Sequence, residues 1–144
     1  MRLSTKGEYG LLALVDLALE APDRPVQSSE IARRRGVPKQ YLDQLLLTLK
    51  KAGLVTSSRG RQGGHRLARA ASAITVLEAV TALEGPVRNA NFLSRGRQRG
   101  PVREALRRLW EESVQCSVAV LQAKTLEDVC KECRSVEQAA MYYI

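Results

Sequence analysis

Residues 50–69 read KKAGLVTSSRGRQGGHRLAR and set two guanidinium groups, Arg59 and Arg61, among three glycines, Gly60, Gly63 and Gly64. Leu54, Val55 and Thr56 are strand formers, the glycines supply the φ freedom of a tight reversal, and His65, Arg66 and Leu67 begin a return strand. Arginines fixed at such a tip cannot be covered by apolar neighbours, and the chemistry open to them is charge-assisted pairing with phosphate. A solvated hairpin with incidental charge satisfies the same residues, so what precedes the hairpin decides between the two. Thiols are the second candidate. Cys130 and Cys133 form C-x-x-C on one helical face, and Cys116 is the third cysteine. The C-x-x-C could act as a redox-responsive pair or cross-link two subunits, whereas Cys116 is read foremost as a small packing residue. Zinc needs four ligands, and only Cys116 and the distant His65 could complete a set, so no metal site is expected. One histidine, no Ser-His-Asp constellation and no phosphate-cradling motif leave nothing poised for acid–base work, and the chain is not expected to be an enzyme.

The elements that must position the arginines are mostly helical. From Gly7 to Glu20 the apolar residues run nearly all round a helix, with Thr5 as its N-cap, so that helix should be buried on more than one side. The prolines of APDRP, residues 21–25, stop it. Ser28 or Ser29 then caps SEIARRRG, a short helix ended by Gly36, and Val37 and Pro38 make a turn. In the helix from Lys39 to Ala52, Leu42, Leu45, Leu46 and Leu49 fall at i, i+3, i+4 and i+7 and face a core. The other side offers Lys39, Gln40, Tyr41, Asp43, Gln44, Thr48 and Lys50, groups suited to base edges and phosphates in a major groove. A helix, a turn, a polar-faced helix and a glycine-arginine hairpin in that order predict a winged helix-turn-helix that binds DNA.

Beyond it, Thr75 and Glu78 form a capping box for TVLEAVTALE. Residues 87–100 read as an exposed basic loop. A long helix follows from Pro101 to about Ala123, with Pro101 tolerated in its first turn. On it Val102, Leu106, Leu109, Cys116 and Val120 approximate one apolar seam, while Trp110, Val114, Ser117 and Leu121 line an adjacent stripe. Two stripes imply two partners, the chain's own N-terminal part and the same helix of a second subunit. Thr125 caps a last segment, LEDVCKECRSVEQ. The expected organisation is a DNA-binding domain over 1–86, a flexible basic loop over 87–100 and a dimerisation helix with a C-terminal segment over 101–144. The fold class is mainly α, with a two-stranded β-hairpin wing.

Charge supports the same partner. Of a net +8, residues 30–70 carry ten basic against two acidic side chains, and residues 88–108 carry seven against one. Such blocks exchange counterions with a polyanion. No run of about 18 apolar residues could span a membrane. Glu8 and Asp16 bracket the apolar stretch near the N-terminus and no cleavage site follows, so a cytoplasmic protein without a signal peptide is expected.

MRLSTKGEYGLLAL, SSEIARRRGVPKQYLDQLLLTLKKAGLV, and SSRGRQGGHRLAR with ITVLEAVTALEG occur in that order and together resemble the Rrf-two family of bacterial transcriptional regulators. The resemblance covers roughly residues 1–86. It implies a homodimer that binds a partly palindromic double-stranded operator and represses transcription. Carried onto this chain, major-groove contacts fall at Pro38 to Gln44, with Lys39, Gln40, Tyr41 and Gln44 most exposed. Wing contacts fall at Arg59, Arg61 and the Gly63–Gly64 backbone. Arg2, Ser4 and Lys6 resemble the family's phosphate-contacting start, and Ser28 and Lys50 complete the DNA-contacting set. The chain departs from the family at His65, where an aromatic residue usually follows the two glycines; a half-buried, hydrogen-bonding substitute is the simplest reading. Cluster-binding members carry three cysteines just before the long helix. Here residues 86–101 contain no Cys, His, Asp or Glu, so an iron-sulfur cluster bound in the family manner is not expected, nor any other cofactor. The rival reading is a thiol-redox-responsive adaptor that acts through a regulatory protein partner by way of Cys130 and Cys133.

Overall fold

Helix α1, Thr5–Glu20, buries Gly7, Gly10, Ala13, Leu14, Asp16 and Leu17, as its nearly continuous apolar run requires. Its cap is Ser4 rather than the expected Thr5: the Ser4 hydroxyl accepts from the Gly7 N–H at 3.2 Å, one residue before the first helical position. The computed structural model describes residues 2–20, 24–87 and 100–143 of the chain, so the basic loop expected over 87–100 lies almost wholly outside the described residues.

Helix α2, Ser28–Arg35, ends at Gly36, whose φ of 65° is left-handed and suits glycine. Neither Ser28 nor Ser29 caps it. Gln27 holds that position without a side-chain bond to the helix, because its amide reaches instead to the carbonyl of Gly63 at 2.7 Å. Helix α3, Lys39–Lys51, buries Leu42, Leu45, Leu46 and Leu49, the four leucines that the spacing assigns inward. Strands β1, Val55–Ser58, and β2, Gly64–Leu67, pair antiparallel with Val55 opposite Leu67 and Ser58 opposite Gly64. Val26, just before α2, adds one further rung by exchanging both backbone bonds with His65 at 2.8 Å.

A 3-10 turn at Ala71–Ala73 leads to α4, Val76–Glu84, and the expected capping box is present, with Glu78 N–H on Thr75 Oγ1 at 3.1 Å and Thr75 N–H on Glu78 Oε2 at 2.9 Å. Helix α4 lies so close to α1 that a Cβ at Gly10 would overlap the Leu83 side chain. Helix α5, Pro101–Ala123, is followed by α6, Leu126–Met141, which opens on a second capping box made by Thr125 and Asp128. The N–H of Val76 on the Lys124 carbonyl and that of Leu126 on the Ile74 carbonyl stitch the starts of α4 and α6 together. Helix α6 thereby packs against α1 and the 3-10 turn, and Leu126 joins the core cluster formed by the leucines of α1 and α3.

One buried charge ties α1 to α2. Asp16, with no exposed surface, accepts from Arg34 at 2.6 and 3.1 Å and from Arg35 at 2.5 Å. A carboxylate in such a place is tolerable only when paired and hydrogen-bonded. Two of the ten basic side chains of the 30–70 block are thus spent on an intramolecular pair.

Candidate nucleic-acid interface

Helix α3 turns Lys39, Gln40, Asp43, Gln44, Leu47, Lys50 and Lys51 to the surface. Lys39 and Asp43, one turn apart, pair at 2.9 Å. Burial works to raise the pKa of Asp43, but hydrogen bonds from Lys39 and Ser28 outweigh it and hold the carboxyl below the usual range. Ser28 itself is 8 % exposed, so its hydroxyl serves this local network beneath the helix surface rather than standing free. Tyr41, expected among the most exposed residues, is half-buried: its ring packs edge-on against Tyr9 at 5.9 Å. The aromatic body fills the α1–α3 contact, a demand that a polar-face reading of the sequence does not register.

Lys50 spans from the end of α3 to the Ser57 hydroxyl at 2.6 Å, joining the helix to the wing. At the tip Arg59 and Arg61 are exposed, and among the described residues neither makes an ion pair. The glycines between and after them build the turn. Gly60 has φ 105°, and its carbonyl accepts from the Gly63 N–H at 3.0 Å. Gly64 has φ 147° and presses on the segment before α2, where a Cβ would come within 2.6 Å of the Val26 carbonyl oxygen. Gly63 and Gly64 are both buried, with the N–H and the carbonyl of Gly63 engaged inside the protein, so these glycines shape the tip and the arginines present it.

At the amino end Arg2 and Lys6 are exposed, whereas Ser4, also at the surface, is engaged within the chain, bonded to Gly7 and Glu84. Pro38 is the exposed N-cap of α3. His65 sits on β2 with its Nδ1 buried and without a hydrogen-bond partner. Burial lowers its pKa, an effect Asp43 opposes and Lys50 reinforces.

Three features escape a reading along the chain. The Asp16–Arg34–Arg35 cluster joins residues 18 positions apart, and no local pattern announces it. Arg24, paired with Glu30 at 3.3 Å, lines with Gln27, Arg61 and Gln62 a shallow cleft between the start of α2 and the wing tip. Leu47 is 52 % exposed in the middle of the polar face of α3; subtracting the four core leucines from the run LLL would have isolated it.

The apolar residues of α5 divide largely, but not wholly, as their spacing suggests. Val102, Leu106, Leu109 and Val120 are 50–74 % exposed and Cys116 is exposed, while Val114, Ser117 and Leu121 of the adjacent stripe are half-buried, as is Val118; Trp110, expected on that stripe, is instead 43 % exposed. The cysteines reverse expectation. Cys116 does not pack, whereas Cys130 does, and burial followed by neighbouring Cys133 pushes the Cys130 thiol pKa up. Cys133 is half-buried. Among the described residues no three His, Cys, Asp or Glu side chains converge as a metal site would need, and no helix is long and apolar enough to cross a membrane.

Residues 3–132 match the Rrf2 family, described as iron-dependent transcriptional regulators. Over all 144 residues the chain is 35 % identical to the transcriptional regulator CymR of Bacillus subtilis strain 168, covering the whole of both. The solved structure of CymR, the global cysteine regulator of B. subtilis, superposes with a TM-score of 0.81 at 34 % identity over 92 % of this chain and 98 % of that one. IscR of T. potens superposes with a TM-score of 0.76 at 37 % identity over 92 % of this chain and 88 % of that one.

Proposed function

We propose, from the premise that this chain belongs to the Rrf2 family of DNA-binding transcriptional regulators, that it works as a homodimeric repressor which occupies a partly palindromic operator. In this reading residues 1–86 read DNA, residues 101–144 hold two copies together, and residues 87–100 bridge the two functions. The recognition helix α3 enters a major groove, with Lys39, Gln40 and Gln44 on base edges and phosphates, while Arg59 and Arg61 approach the flanking minor groove. Arg2, Lys6 and Lys50 add backbone contacts. The observation that carries the proposal is the wing tip: two guanidinium groups held outward by buried glycines, with no carboxylate paired to them among the described residues. The open seam of α5, Val102, Leu106, Leu109, Cys116 and Val120, supports the second copy.

The family's iron dependence does not carry over through these residues. Cys116 lies exposed on α5, Cys130 is buried on α6, and residues 86–101 supply no ligand, so the donors of a cluster do not gather in one place. We therefore propose regulation without a resident cluster. A redox adaptor built on Cys130 and Cys133 gains no support from the geometry, since the buried thiol is held away from the reactive thiolate form.

Titration of the full chain into duplexes enriched from a random pool tests the proposal. Arg59→Ala and Arg61→Ala should each weaken binding and flatten the slope of log affinity against log salt by roughly 0.9 for every phosphate that is no longer neutralised. An unchanged slope in both variants would remove the wing from the interface.

A further inference from the structure

We infer that Leu47 is a base-reading residue, and that what it reads is the C5-methyl group of a thymine in the major groove. The inference rests on the DNA-binding reading above and adds to it a residue that no polar-face argument selects.

Leu47 is 52 % exposed, and among the described residues before position 88 it shares the standing of exposed large hydrophobic only with Leu3. Leu3 has a packing role, with its side chain lying against the Gly7 backbone of α1. Leu47 does not. The core-facing leucines of α3 occupy positions 42, 45, 46 and 49, and at 100° per residue position 47 falls nearly opposite their mean direction. On that outward line it stacks with Gln40, Gln44 and Lys51, at i−7, i−3 and i+4, all exposed. Two carboxamides suited to adenine and one aliphatic side chain therefore form a single file along the face of α3.

A leucine in this file has nothing to offer a phosphate and cannot accept or donate at a base edge. It gains free energy only by covering apolar surface, and the apolar group displayed on major-groove base edges is the thymine methyl. The file as a whole, amide then aliphatic, is matched to an A·T-rich step. The apolar patch is also a single side chain hemmed by Gln44, Lys50 and Lys51, too small to seat another protein.

The test uses the full chain and a duplex that it enriches from a random pool, resynthesised with deoxyuridine in place of each thymine in turn, which deletes one methyl and nothing else. At one thymine in each half-site the wild type should lose about fourfold in affinity per half-site, the worth of one buried methyl-sized group. Leu47→Ala should bind thymine and deoxyuridine versions equally there. Leu47→Gln, which keeps helix propensity, should do the same, with circular dichroism confirming that both variants are folded. The proposal is overturned if no thymine is sensitive in the wild type, or if Leu47→Ala keeps the same sensitivity. If no duplex is enriched at all, the DNA-binding reading itself fails and takes this one with it.

Discussion

Helices α1 and α5 are both rich in leucine, valine and alanine, yet the protein treats them in opposite ways. Of the 16 residues of α1, six are buried, and it touches α2, α3, α4, β2 and α6; the 23 residues of α5 include none that is buried. The difference is one of cover. Helix α1 finds partners within its own chain because the helix-turn-helix, the wing and the returning α6 wrap around it. Among the described residues helix α5 packs chiefly against α4, and the rest of its surface is left open. Apolar composition states that a face must be hidden; it does not say whether the same molecule or another hides it.

The sharpest way to break this contrast is a paired substitution. Leu106→Asp, a charge placed in the open seam of α5, should convert the protein to a monomer by light scattering and reduce operator affinity by about a hundredfold or more, because two linked heads become one. Leu14→Ala in α1 should instead cost about 2–5 kcal/mol in urea unfolding while leaving the assembly state unchanged. If Leu106→Asp remains a tight dimer, the seam assignment is wrong. Next in size is Asp16→Asn, which leaves the guanidinium groups of Arg34 and Arg35 facing a neutral amide; a loss of about 3 kcal/mol is expected from the denaturation midpoint. A change within error would mean that water screens the cluster as it does a surface pair.

The smallest effect separates the halves by pH. The chain has one histidine, and burial holds the pKa of His65 below its ordinary value of 6.5. The unfolded chain then takes up a proton first as pH falls, so stability is full above 6.5 and declines as pH drops below it towards the lower value of the folded state. His65→Tyr should flatten this decline, a difference of a few degrees in Tm at most. The dimer dissociation constant should not move across the same interval, since α5 carries no histidine and its Glu104 is held at about 2 by Arg107 and then Arg108. A dimer that weakens in step with the wild-type Tm would contradict the division of labour.

Much of the fold was legible in order along the chain, because its determinants are local. The four inward leucines of α3, the glycine turn of the wing and the Thr75–Glu78 box each depend on neighbours within a turn or two, and each is present. What was not legible depends on distant contacts. The cap moved from Thr5 to Ser4 because Glu84, 80 residues away, draws Ser4 into place. Gln27 displaced the serines as the cap of α2 by bonding to the wing. Cys116 and Cys130 exchanged roles because α6 folds back onto α1, which periodicity cannot foretell. In the candidate interface the same division holds: side-chain types marked Lys39, Gln40, Gln44, Arg59 and Arg61, while the intramolecular commitments of Ser4, Ser28, Tyr41, Arg34 and Arg35 emerge only when the elements are brought together.

The attachment of the wing has a mechanical consequence. Val26 is laced to His65 by two backbone bonds, Gln27 is fastened to Gly63, Gly64 lies flush against Val26, and Lys50 reaches Ser57. Three fastenings to the segment before α2 and one to α3 leave the hairpin little play, so the wing is a stiff stamp whose relief is set within the chain itself. A signal that turns such a protein on or off has little to gain by flexing the wing. In the proposed dimer, its leverage would lie in how far apart, and at what angle, two such stamps are held.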